Sequence, residues 1–478
     1  MCNAIRVCPM KLAAVLITVV VLNASAGPTP ARAQSEIAKL LPSDGAVHEY
    51  FGFSVGVSDD CALVGAAGDN ENGWAAGAAY VFRFDGSDWV QEAKLLADDG
   101  VAEDCFGYSA AMSGDVAAIG AVDDDDHGAS SGSVYVFRFD GSDWVQEAKL
   151  LARDGAEGDW FGCSVAISGD VAVIGAFRND DSGTDSGSAY VYRYDGSSWV
   201  DETKLLPADG VDFGCFGFSV AVSGDAALIG APEDDDNGYR SGSVYVFRYD
   251  GSHWNFEAKL LPDDGVAFDR FGCVVSGCGD AALIGVPEDD DNGTGSGSAY
   301  VFRYDGVDWF QEAKLLPSDG ATYEYFGYAV GIAGDTAVVS ARHDQDNGQQ
   351  SGSAYVFRFN GLSWIEEVKL LASDGQPDDN FGYSAAISGD IAVFGVPYDD
   401  DNGDYSGSAY VFDVGGPACS GDVDGDGDTD LIDLAALLAA YGTSSDDPGY
   451  DPNADFDQDN DIDLADLAFL LGDYGCGA

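Results

Sequence analysis

The chain has 478 residues, with 84 Asp and Glu against 21 Lys and Arg, and a formal net charge of −63. Such a surface repels phosphate backbones and anionic lipid, so nucleic acid is excluded as a partner and cations are expected ones. At 46% apolar and 12% aromatic residues the chain still has ample material for a core, which excludes the disordered class that acidity alone would suggest.

Residues 1–33 read as an export signal. Arg6 and Lys11 form a basic start, Leu12–Leu22 an apolar run, and Ala31-Arg32-Ala33 a cleavage site, with Ala24-Ser25-Ala26 as a second possible site. The apolar run is short for a membrane span and no other segment approaches one. The expected protein is secreted or held at the cell surface, without membrane insertion.

One pattern then returns every 55 residues without insertion or deletion. Phe-Gly stands at Phe51, Phe106, Phe161, Phe216, Phe271, Phe326 and Phe381. A K-L-L lysine keeps the same step from Lys39 to Lys369, and Y-V-[FY] from Tyr80 to Tyr410. Seven copies make a repeat architecture. The second copy shows the unit. Tyr108–Met112 predicts a short strand, and Ser113-Gly114-Asp115 turns it into a second, Val116–Ala121. An acidic loop, Val122–Gly132, leads to a third strand, Ser133–Asp140, apolar on both faces. Asp140-Gly141-Ser142 is a hairpin turn into a fourth, Trp144–Leu151.

Strands apolar on both faces must be covered on both faces. Seven four-stranded antiparallel sheets packed in a ring, a β-propeller over residues 34–416, achieve this. The ends of the array support a ring. The last copy stops at Val411-Phe412-Asp413 without a fourth strand, and the first element, Glu36–Leu41, is a fourth strand with no preceding three. Pairing the two would complete the seventh blade and remove an exposed edge.

Across Ile37–Gly416 these residues resemble the FG-GAP repeats of the integrin alpha-subunit propeller and of exported bacterial proteins. The marks are Phe-Gly, then Gly230-Ala231-Pro232 (Gly-Val-Pro in two other copies), then Tyr-Val-Phe. Calcium-binding integrin blades carry D-x-D-x-D-G between the first and second strands. Here that hairpin is only S-G-D, so those calcium sites do not carry over. The resemblance does imply a ligand face, made by the loop after the second strand and the loop between blades. The copies differ from one another in these same loops, at Trp74, His127, Trp160, Arg178, Arg240, Arg342 and His343. A monomeric propeller taking a protein or glycan ligand on this face is expected.

The same loops hold acidic runs such as Glu233–Asp236, followed by Asn-Gly. Two readings stand: oxygen ligands for Ca2+, or solvated turns whose acids aid solubility. The lack of an acid at a twelfth position favours solvated turns.

Catalytic signals are few. Gly52-Phe53-Ser54-Val55-Gly56 matches G-x-S-x-G but belongs to a repeat strand, not to a strand–elbow–helix. His48, His127, His253 and His343 share no metal spacing, and no carboxylate pair stands out.

Eight cysteines follow the export signal. Cys105 and Cys215 directly precede a Phe-Gly, and Cys163 and Cys273 lie two residues after the Phe of the next copy. Matched offsets in an exported chain predict Cys105–Cys163 and Cys215–Cys273 bridges. Cys419 and Cys476 bracket the C-terminal segment as a third pair. Cys61 and Cys278 are left unpaired.

Residues 417–478 break the pattern. Asp422, Asp424, Asp426, Asp428, Asp430 and Asp433 take positions 1, 3, 5, 7, 9 and 12 of an EF-hand loop with Gly427 at position 6. Asp455, Asp457, Asp459, Asp461, Asp463 and Asp466 repeat the spacing with Asn460 at position 6. Each loop runs into a short apolar helix, Leu431–Tyr441 and Leu464–Leu471. Two such units over Ser420–Gly475 resemble a type I dockerin. The resemblance implies two bound Ca2+ and docking onto a cohesin-like or cell-envelope partner through Leu431, Ile432, Leu464 and Ala465. The leading expectation is a non-enzymatic binding or adhesion scaffold. The rival is a secreted polysaccharide-active enzyme with a dockerin tag.

Overall fold

The computed structural model describes residues 34–415 and, beyond them, 423, 429, 431–445, 447, 449–456 and 460–473. The expected export signal, Asp422, Asp424, Asp426, Asp428, Asp430, Asp457, Asp459, Cys419 and Cys476 lie outside the described residues.

Seven four-stranded antiparallel sheets form the blades of a propeller. Blade two consists of Phe106–Ser113, Val116–Ala121, Ser133–Phe139 and Trp144–Leu150, within two residues of the expected bounds. Its second strand is buried along its whole length, whereas the fourth is mostly half-buried. The second strand is covered on both faces by neighbouring blades, and the fourth forms the rim. Seven hydrophobic clusters fill the seven interfaces. In one, Leu63, Val81 and Leu95 of blade one pack with Phe106, Ile119 and Tyr135 of blade two. Burial of large apolar side chains between blades contributes about 1.5 to 3 kcal/mol each.

The ring closes as the ends of the array imply. Ser35–Leu40 pairs antiparallel with Ser408–Asp413, placing Lys39 opposite Tyr410, with a bulge at Ile37. The fully described outer pairs carry the same bulge, for example at Glu92 between Gln91 and Ala93.

The Phe-Gly mark is a blade-to-blade joint. Phe106 N–H donates to the Ala76 carbonyl at 3.0 Å. Gly107, at φ +94°, lies so close that an added Cβ would sit 2.4 Å from the Ala78 carbonyl oxygen. Ser54, the serine of G-x-S-x-G, is buried and donates its hydroxyl to the Gly107 carbonyl at 2.8 Å. Its place is in the joint.

The expected propeller bridges are corrected. Cys105, Cys163, Cys215 and Cys273 are free thiols, as are Cys61 and Cys278. The Cys163 Sγ lies 3.5 Å from the Gly217 carbonyl of blade four. Cys215 and Cys273 share the charged neighbours Glu233 and Arg270 without bonding, and burial pushes both thiols up to about 12. Cys215 is itself an electrostatic neighbour of Cys273, so equal offsets bring these two thiols near one another without a bond between them.

In the C-terminal segment, helices Leu431–Ala440 and Leu464–Asp473 enclose a small core of Val423, Leu437, Ala440, Ala454, Ile462 and Leu470. Among the described residues no helix is long and apolar enough to cross a membrane.

Candidate functional site

The loop after the second strand and the loop entering the next blade lie side by side. Glu103 N–H donates to the Trp74 carbonyl at 2.8 Å, and Cys105 N–H to the Ala75 carbonyl at 3.1 Å. Equivalent bonds recur around the ring, for example Phe268 to Tyr239 and Arg270 to Arg240. The two loop types therefore make one continuous face.

The acidic runs on this face are held by the repeat lysine. Lys259 Nζ, on the outer strand of blade four, sits 2.8, 2.9 and 2.6 Å from Asp209, Asp234 and Asp236. Asp209 comes from the turn entering the blade, and Asp234 and Asp236 from the acidic loop. The Tyr245 hydroxyl donates to both Asp209 (2.7 Å) and Asp234 (2.9 Å). The same clasp recurs with Lys39, Lys94, Lys149, Lys314 and Lys369, each on three carboxylates. In blade three, Lys204 takes Asp154, Asp181 and the Asn179 amide oxygen. Burial by itself would lower the Lys259 pKa. Its hydrogen bonds to Asp209, Asp236, Tyr245 and Asp234 outweigh that and hold it far above the usual lysine value.

Each acid of Glu233–Asp236 thus has its own task. Glu233 pairs with Arg270 at 2.6 Å and with Arg240 at 2.5 Å. Asp234 and Asp236 grip Lys259, and Asp235 accepts the Arg240 N–H at 2.7 Å. The run forms a turn with Asp235, Asp236 and Asn237 exposed, and an ammonium lies between its alternating carboxylates. The constant spacing of lysine and acids carried this signal, but the sequence does not display that the two meet across a blade.

A second ring of carboxylates lies two residues before each Phe-Gly, where blade four alone has Gly214. Asp104, Asp269 and Asp379 are buried and accept the N–H of Val101, Val266 and Gln376 at 2.7, 2.7 and 2.6 Å. Burial, with the nearby Asp124, Asp289 and Asp399, outweighs those bonds and pushes the three up to about 6, 6 and 7.

Of the expected ligand-face residues, Trp160 and Arg178 come together. The Arg178 guanidinium stacks 4.0 Å from the Trp160 ring, which meets Phe177 edge to face. Arg342 stacks 3.8 Å over Tyr328, with Tyr383 beyond. Arg240 is committed to Glu233, and Trp74 stands 71% exposed. Sequence reading missed a depression of about 380 Å³ on blade six, lined by Tyr323, Tyr325, His343, Gln345, Gln349 and Gln350. The signal available was Gln345 where the other copies have Asn or Asp.

In the C-terminal segment, Asp433 and Asp466 are fully buried and accept the N–H of Val423 and Phe456, both at 2.7 Å. Asn460 adopts φ +72°, the left-handed turn that position 6 requires. Asp455 accepts the Asn460 N–H at 3.0 Å through Oδ2, while its buried Oδ1 has no hydrogen-bond partner among the described residues. Among the described residues no three His, Cys, Asp or Glu side chains cluster to hold a metal ion; loop positions 3 and 5 lie outside them.

A family model described as FG-GAP repeat matches this chain seven times, over residues 34–82, 89–137, 144–192, 199–247, 254–302, 309–357 and 364–412. Together these span more than half of the sequence. Each match begins at an outer strand and ends in the third strand of the next blade, the same one-strand offset that closes the ring. No curated protein matches the chain.

Proposed function

Because the chain belongs to the FG-GAP repeat family, we propose that it is an exported, non-enzymatic binding scaffold. Its loop face recognises a protein or glycan ligand, and its C-terminal segment is a calcium-binding, dockerin-like module for anchoring or assembly. The observation that carries this reading is the clasp. Seven loop pairs are each held by a repeat lysine, six on three carboxylates and blade three on two carboxylates and an amide, while the residues displayed between them vary, the arrangement of a rigid scaffold presenting a variable surface.

Calcium would be held by side chains of Asp422, Asp424, Asp426 and Asp433 in one loop, and Asp455, Asp457, Asp459 and Asp466 in the other. Backbone carbonyls at Asp428 and Asp461 would add to each set. The buried, unbonded Asp455 Oδ1 and the left-handed Asn460 fit that role. When bound, the ion would supply charge neutralisation and loop order.

The test is a screen of the full chain on immobilised proteins and polysaccharides, with soluble products measured in parallel. Saturable binding without turnover is expected. Steady product release abolished by a single Asp substitution would instead favour the polysaccharide-active enzyme.

A further inference from the structure

Blade six departs from its neighbours at one loop position. In the other blades the residue after the clasped one is Asn70, Asp125, Asp180, Asp235, Asp290 or Asp400. Each accepts a hydrogen bond from the backbone N–H five residues on, at 2.7 to 2.9 Å. That bond ties the loop to itself. Blade six has Gln345, one methylene longer, which makes no such bond among the described residues. Gln345 instead lines the depression together with Gln349 and Gln350.

No carboxylate lines the depression, in a chain of 84 acids, although exposed Asp378 stands beside it near His343. Asp344 and Asp346 are gripped by Lys369 at 2.6 and 2.8 Å. Glu324 is turned onto the Ala321 N–H at 2.7 Å. Burial and the adjacent Arg342 lower His343 to about 4, so its ring is neutral near pH 7. What remains is three amides and three rings, with Tyr325 edge to face against His343 at 5.0 Å and Tyr323 57% exposed.

Amides both donate and accept, so three of them match an array of hydroxyls, which do the same. Exposed tyrosine rings offer flat apolar surface for the C–H faces of a sugar. A peptide ligand would want a strand edge to extend or a deep apolar pocket for an anchor side chain, and these loops offer neither. We infer that the blade-six depression is a subsite for a neutral glycan. Gln345, Gln349 and Gln350 bond its hydroxyls, and Tyr323 and Tyr325 pack against its ring. This rests on the proposed ligand-binding role of the loop face.

The experiment uses the full chain and a panel of soluble neutral hexose and pentose oligosaccharides, followed by titration calorimetry. The triple variant Gln345→Ala, Gln349→Ala, Gln350→Ala is compared with Tyr239→Ala on blade four; thermal melting controls for folding. The expected result is at least a tenfold loss of affinity in the blade-six variant and little change in the blade-four variant. Glycan binding that survives the triple variant overturns the subsite while leaving the binding face standing. So does capture of a protein ligand with no glycan bound. Absence of any glycan or protein ligand on this face overturns both readings.

Discussion

Lys259 is the sole cation among three carboxylates, one of them buried, so its replacement should be felt well beyond a surface ion pair. In Lys259→Met, Asp234 would keep its Tyr245 hydrogen bond but lose its counter-charge. Removing one partner of a buried pair costs about 3 to 5 kcal/mol, and half-exposed Asp209 and Asp236 screen part of that. A loss of about 2 to 3 kcal/mol in denaturant unfolding is expected, and a loss under about 0.5 kcal/mol would show the clasp to be decorative. The second ring of carboxylates sets the pH dependence. Asp104, Asp269 and Asp379 have folded pKa values raised to about 6, 6 and 7, so the folded state binds more protons than the unfolded one between about pH 4 and 7. Stability therefore falls as pH rises through that window. Asp99, Asp209 and Asp264 oppose this at the acid end. Burial raises them, but their lysine and tyrosine partners win and lower them, so their contribution is lost below about pH 4. The melting temperature should rise from pH 8 to about pH 5 and drop below pH 4. Asp379→Asn, which keeps an acceptor for Gln376 N–H, should flatten the neutral limb; an unchanged slope in that variant would refute the assignment. These residues were visible as a period but not as partners, because Lys259 and Asp209 are 50 positions apart and meet only through the blade's register.

At the scale of elements, strand order and ring closure were legible because apolar patterning and turn residues recur in every copy. Side-chain pairing between blades was not, as the free cysteines show. The seam between blades seven and one carries a further difference. Elsewhere an Arg–Glu pair on the third and outer strands receives the indole N–H of the next blade's tryptophan. Arg83 and Glu92 lie 3.0 Å apart, and Trp144 Nε1 donates to Glu92 at 2.9 Å. At the seam the corresponding positions are Asp413 and Ile37, and the buried Trp89 Nε1 has no partner among the described residues. Gln34 takes the missing tryptophan's place by donating to Glu367 at 2.6 Å. Restoring the pair should tighten the closure. Ile37 is 44% exposed, so Ile37→Glu forfeits little burial, but alone it sets a second acid beside Asp413. The single variant should be neutral or destabilising. Ile37→Glu with Asp413→Arg should gain about 1 kcal/mol, a charged hydrogen bond discounted for exposure. A double-mutant cycle on thermal unfolding checks the coupling, and strict additivity would mean the two positions do not meet.

At the scale of the whole molecule, a net charge of −63 penalises every compact state, and the two parts of the chain meet that penalty differently. In the propeller each acidic loop already contains an ammonium, and its strands are anchored by a hydrophobic cluster at every interface. From residue 417 onward there is no lysine or arginine at all. There each acidic stretch leads into a ten-residue helix, and the described residues supply a core of six buried side chains, too little to offset so much like charge unaided. A bound divalent cation is the natural counter-charge, and folding there should depend on it. Excess chelator should therefore abolish a small low-temperature transition in calorimetry of the full chain and leave the main transition within a few degrees. A chain ending at Gly416 should show the main transition alone, indifferent to chelator. If that shortened chain lost most of its unfolding enthalpy when chelated, the lysine clasps would not be what holds the acidic loops, and metal would have to be sought between Asp234 and Asp236 and their counterparts.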